Sequence, residues 1–200
     1  MIKHGIAGAL ALFFTASPAA AQAPDIVRVR GTVESVDGQT LSVKDRNGAT
    51  LTIRVADKAP VNEVVKASLA DIKPNAYIAV TAMPQPDGSQ KAVAILIFPE
   101  ALRGVAEGFR PWDLTQNSTM TNGTVDSTVA AVDGGTLILK YKDGEQKVIV
   151  PPTAEIVTYA RAAMADVKPG EKIFIVAAKK LPDGTLEAPG ISVGDYGVWR

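Results

Sequence analysis

The 200-residue chain reads as a mostly β protein, two small closed β-barrels in tandem, each with one short helical turn. Three observations point there. Apolar and polar residues alternate over short runs, the period of a half-buried strand rather than of a helix. The runs are separated by Asp37-Gly38, Asn47-Gly48 and Asp87-Gly88, then by Asp133-Gly134, Asp143-Gly144 and Asp183-Gly184. Such dipeptides accept the positive φ of tight hairpin turns. Finally, the chain repeats itself. Val36-Asp37-Gly38-Gln39-Thr40-Leu41 returns 96 positions on as Val132-Asp133-Gly134-Gly135-Thr136-Leu137, and Ala70-Asp71-Ile72-Lys73-Pro74 returns 95 positions on as Ala165-Asp166-Val167-Lys168-Pro169.

The first copy spans 26–98. Val27, Val29 and Val33 mark its first strand, Leu41 and Val43 the second, and Leu51, Ile53 and Val55 the third. Residues 61–67 carry valines that also suit a helix face. Their counterparts Ile156-Val157-Thr158-Tyr159 are β-branched and aromatic, so a strand is expected in both. Ser68 stands three residues before Asp71, the spacing of a capping box, and Pro74 limits that helix to about one turn. Ile78, Val80 and Ala82, then Val93, Ile95 and Ile97, complete the copy. Three strands, a helical turn and two further strands is the order of an OB-like barrel, which leaves no open sheet edge. The second copy spans 119–195. The linker between them, 99–118, opens with a segment from Pro99 to Glu107 that reads as a short helix.

Gly31 to Val43 and Ser68 to Pro74 resemble a family of secreted bacterial tandem β-barrel modules of unknown function. Those modules carry a Gly-Thr-Val strand, an Asp-Gly turn and a Ser-Leu-Ala-Asp-Ile-Lys-Pro turn. The second copy keeps Thr128 to Leu139 and Ala165 to Pro169, with Ser127 at the position aligned to the leading glycine. The resemblance implies the fold and a secreted location. Its motif residues are turn and packing residues, so it implies no activity.

Residues 1–21 have the pattern of a secretory signal peptide. Lys3 is followed by the apolar run Gly5 to Phe14 and by Ala19-Ala20-Ala21 before the expected cut. Ten apolar residues are too few to cross about 30 Å of hydrocarbon. Cleavage after Ala21 is expected to deliver a periplasmic or secreted protein with no membrane span. It would remove His4, the only histidine, from a chain without cysteine. Imidazole or thiolate sites for zinc, copper or haem are then impossible, as are His-based catalytic triads. No cofactor is expected. The 21 basic and 21 acidic side chains balance, which argues against nucleic acid as a partner.

Two groups of residues are candidates for function. Arg103, Glu107, Arg110, Trp112 and Asp113 crowd the linker. Arginine offers a planar fork for carboxylate or phosphate and tryptophan a stacking face. The same residues also fit a hydrophobic plug with a polar rim. The second group is an apolar outer face on copy two, Ile138, Val148, Val150, Phe174 and Val176, where copy one has Ser42, Thr52, Arg54, Ala79 and Thr81. An apolar face of that size needs covering by the linker (Phe109, Trp112 and Leu114), by copy one or by a partner. A register error of one residue would exchange the two faces. The reading is a non-enzymatic binding module for a small ligand or an envelope protein. The alternative is an enzyme or accessory protein acting on an envelope polymer through carboxylates, such as Glu100 with Glu107 or Asp183 with Glu187.

Overall fold

The computed structural model describes residues 25–131 and 134–194, with side chains at 128–131 left aside. The signal segment and the tip residues Val132 and Asp133 therefore lie outside the described residues. The structure is mostly β. Its strands are β1 (Ile26–Asp37), β2 (Thr40–Asp45), β3 (Thr50–Val55), β4 (Val61–Lys66), β5 (Tyr77–Pro84), β6 (Gln90–Ile97), β7 (Gly108–Pro111), β8 (Thr119–Ala131), β9 (Gly134–Tyr141), β10 (Gly144–Val150), β11 (Glu155–Ala162), β12 (Lys172–Lys180), β13 (Leu186–Ala188) and β14 (Ile191–Val193). Lone 3-10 turns lie at Leu69–Asp71, Glu100–Leu102 and Met164–Asp166. The turn at Ser68 forms as its spacing predicts, with Asp71 Oδ2 accepting from the Ser68 N–H at 2.8 Å and from its hydroxyl at 2.7 Å. Only the three-residue turn forms in the segment from Pro99 to Glu107. Among the described residues no helix is long and apolar enough to cross a membrane.

The strands close into rings, but the rings do not follow the repeats. The first ring runs β1–β2–β3–β13–β12 and back to β1. Its core joins Val33, Leu41, Val43 and Ile53 of the first copy to Ile173, Ile175, Ala178 and Leu186 of the second. The second ring runs β8–β9–β10–β6–β5 and back to β8. There Val125, Leu137, Leu139, Val148 and Val150 of the second copy pack on Ile78, Val80, Ala92 and Ile95 of the first. Each copy thus gives three strands to one ring and the closing strands to the other. The segments 26–98 and 119–195 differ in this from two barrels standing side by side.

The crossover strand is β4. It leaves the first ring after Pro60 and pairs antiparallel with β11, its own counterpart, with Val64 opposite Tyr159. Residues 64 and 159 also align in the sequence, at the offset of 95. β14 flanks β4 and β6 flanks β11, so a four-stranded sheet bridges the rings. The one long strand β6 corresponds to two short ones, β13 and β14, in the second copy. Pro189 between them lacks the N–H that a continuous strand would use.

Register also revises the alignment. A bulge interrupts β1 between Val33 and Ser35, and the same bulge interrupts β8 between Val125 and Ser127. Gly123, not Ser127, therefore occupies the place of Gly31. Both glycines lie against a carbonyl of the neighbouring strand, Lys44 for Gly31 and Lys140 for Gly123. The β8–β9 hairpin has four more residues than β1–β2, which displaced the sequence alignment of that strand.

A candidate ligand site on the seam between the rings

Strand alternation sends every second side chain out of the rings, and on one side of the molecule these meet the bridging sheet. Phe174 alternates with the core residues Ile173 and Ile175, and Ala79 with Ile78 and Val80. Together with Val64, Ala94, Leu96, Met120 and Val157 they form a third apolar cluster. Ala79 and Phe174 align at the 95-residue offset, so the cluster holds a methyl group at one of the aligned positions and a bulky ring at the other.

The linker lies over this cluster. Phe98 packs between Tyr77, tilted at 5.6 Å, and Tyr159, edge-on at 6.2 Å between ring centroids. The Val105 carbonyl accepts from the Tyr77 hydroxyl and from Asn122 Nδ2, both at 3.0 Å. β7 then pairs with β8, which turns Arg110 inward and leaves Phe109 43% exposed. A loop closed by the Trp112 N–H on the Ser118 carbonyl, at 2.8 Å, sets Trp112 against the cluster.

Three guanidinium groups surround the Trp112 ring. Their central carbons lie 4.0 Å (Arg28), 5.5 Å (Arg30) and 5.7 Å (Arg110) from its centroid. Arg30 also sits 4.8 Å over the Phe174 ring, held between the two aromatics with its side chain only 2% exposed. Such cation–π contacts strengthen as water is excluded. One carboxylate serves two of the three. Asp113 accepts from Arg28 Nη1 and from Arg30 Nη2, each at 2.8 Å. Partial burial alone would raise its pKa. The hydrogen bonds and charges of Arg30 and Arg28 outweigh that and hold the carboxyl well below the usual range. Asp113 is therefore ionised at neutral pH.

Under the linker is a cavity of about 230 Å³. Its walls include Phe98, Trp112, Tyr159 and Phe174, with Ala79, Leu96 and Met120 behind. Polar groups are few, among them Arg110, Asn122 and Ser192. Val105 and Val176 line it and are 46% and 57% exposed, so it reaches the surface with an apolar lip. Two buried nitrogens in this region, Trp112 Nε1 and Arg30 Nε, have no hydrogen-bond partner.

Of the five linker residues singled out by sequence, three converge here: Arg110, Trp112 and Asp113. Arg103 instead ties the linker down, donating to Glu100 Oε2 and to the Asn75 carbonyl, both at 2.8 Å. Glu107 accepts from the Lys142 N–H at 3.0 Å, at the turn between β9 and β10. The carboxylates proposed as pairs are likewise engaged elsewhere. Glu187 bonds Arg54, and Asp183 accepts from the Thr185 N–H in its turn.

The apolar outer face of copy two is not one surface. Val148 and Val150 are buried in the second ring, with Val148 opposite Leu137 as Ile53 is opposite Leu41. The β9–β10 hairpin is one residue shorter than β2–β3, so the alternation in β10 shifts by one and its faces exchange. Ile138 is half-buried on β9. Phe174 lies beneath Arg30 and Trp112, and Val176 is exposed at the lip of the cavity.

Sequence reasoning missed Arg28 and Arg30. They alternate with Val27 and Val29 on β1, so their outward direction was readable. Their partner was not, because Phe174 stands opposite Arg30 on a strand of the other copy. Comparison with family models, curated proteins and solved structures returns no match.

Proposed function

We propose that this protein is a non-enzymatic binding module whose ligand occupies the cavity beneath the linker. One observation carries the reading. An apolar cavity walled by four aromatic rings lies on the seam between the two closed sheets, beside three arginines of which two, Arg28 and Arg30, share the carboxylate of Asp113. Binding sites favour such seams, and few convergent polar groups in an apolar wall suit recognition of a small molecule. Residues unique to the linker, with no counterpart in either copy, supply the cover.

A screen of small aromatic and aliphatic fragments by protein-observed NMR tests the reading. Hits are expected to shift the Trp112 indole N–H and the amides of Phe174 and Ala79. Hits that scatter over the surface and leave those signals in place would count against the site. We further propose that the module works outside the cytoplasm, on the strength of the Lys3, Gly5–Phe14 and Ala19–Ala21 pattern. N-terminal sequencing of exported protein is expected to begin at Gln22, and recovery of intact Met1 from the membrane fraction would refute export.

A further inference from the structure

We propose that the cavity takes a monocyclic aromatic carboxylate, its ring packed among Phe98, Trp112 and Phe174 and its carboxylate bound by Arg110. This rests on the reading of the cavity as the ligand site and names the class of ligand.

Size sets the body of the ligand. An apolar cavity of roughly 150 Å³ is filled by benzene. The present cavity, about 230 Å³, has room for one ring with a short arm. Ala79, a methyl where the aligned position of the other copy is Phe174, is one of its lining residues. Aromatic walls favour an aromatic guest through offset and edge contacts that aliphatic chains do not make.

Charge sets the head. Arg110 is half-buried, and among the described residues its Nη atoms donate only to neutral acceptors: the Ala106 carbonyl at 2.8 Å, the Gly108 carbonyl at 3.4 Å and Asn122 Oδ1 at 3.3 Å. Among the described residues it forms no salt bridge, and Asp113 is already shared by Arg28 and Arg30. Burial, and then the charge of Arg28, push the Arg110 pKa down, the direction expected of a cation short of a counter-charge. A half-buried charge is stable when paired, and a carboxylate matches a guanidinium with two parallel hydrogen bonds. The Trp112 indole N–H is a second donor without an acceptor, on a ring that lines the same cavity. A single carboxylate can answer both.

Calorimetric titration of the chain from Gln22 with phenylacetate, 3-phenylpropionate, the primary amide of each and hexanoate decides the matter. At least one aromatic acid is expected to bind about tenfold or more tightly than the isosteric amide, the difference a charge-assisted pair makes. Arg110→Gln is expected to bring that acid to the level of the amide. Ala79→Phe is expected to abolish binding of both while the circular dichroism spectrum stays unchanged. Should either variant fail to fold, the acid-to-amide ratio on the native chain and the shift of the Trp112 indole N–H on adding acid still decide. Equal affinity for acid and amide would overturn carboxylate recognition and leave the site standing. Tighter binding of hexanoate than of either aromatic acid would overturn the aromatic class. If no probe binds up to millimolar concentration although the fragment screen gives hits at Trp112, the class is wrong and the site right. If that screen is also empty, both fall.

Discussion

Expressed as separate fragments, residues 22–103 and 104–200 are each expected to lack a stable monomeric fold, and to regain one when mixed. The expectation follows from the exchange of strands. In the first ring Leu41, Val43 and Ile53 are buried against Ile173, Ile175 and Leu186 of the other half. Burial of an Ile or Leu side chain is worth about 1.5–3 kcal/mol, so those three alone contribute roughly 5–9 kcal/mol. That is comparable to the whole stability of an ordinary domain, about 5–15 kcal/mol. A lone half also leaves the edges of β1 and β3 open where β12 and β13 should close the ring. Two barrels in simple tandem would behave in the opposite way, with each half folding alone. Amide dispersion in two-dimensional NMR and elution volume distinguish the cases. A single half that is monomeric, well dispersed and melts cooperatively would refute the exchanged arrangement. A half that folds only as a concentration-dependent dimer would agree with it, since a second copy of the half could then supply the missing closing strands.

The local features of this fold were legible because local chemistry determines them. Alternation placed Leu41, Val43, Ile53, Ile78 and Val80 inside, and the spacing of Ser68 and Asp71 located a 3-10 turn. The exchange between rings was not legible, because the closing strands of each copy have nearly the same apolar pattern and suit either ring. One clue was available. The strand at 61–67 has no place in a closed five-stranded ring, and it proves to be the strand that carries the chain across. The faces of β10 were misassigned because hairpin length, which sets register, differs by one residue between the copies. At the site, Arg110, Trp112 and Asp113 were legible as dense, unusual chemistry in a polar linker. Arg28, Arg30 and Phe174 come from strands paired across the two copies, so no local pattern could join them.

Replacing Gly31 or Gly123 by alanine is expected to cost about 3 kcal/mol or more in each case. A methyl at Gly31 would lie 2.4 Å from the Lys44 carbonyl oxygen and 2.6 Å from Val43 Cγ1. At Gly123 it would lie 2.6 Å from the Lys140 oxygen. The main obstacles are backbone atoms, so no rotamer change relieves them. The strand pair must separate beside its bulge, and the ring core opens with it. For a chain of this length the loss corresponds to a fall in Tm of about 6–12 °C. Gly184 supplies the comparison. Its φ of +85° disfavours any side chain, but a Cβ there meets nothing within 4 Å. Gly184→Ala should therefore cost only about 1–2 kcal/mol, the ordinary penalty of left-handed backbone. Thermal or urea unfolding of the three variants gives the order. Gly123→Ala carries the most information, because an offset of 96 would make Ser127 the equivalent of Gly31 and leave Gly123 without a structural duty. A loss at Gly123 close to that at Gly31 supports the shared bulge and the four added residues in the β8–β9 hairpin. A loss no greater than that at Gly184 would mean that β8 does not approach β9 as β1 approaches β2, and the pairing of the second ring would have to be redrawn.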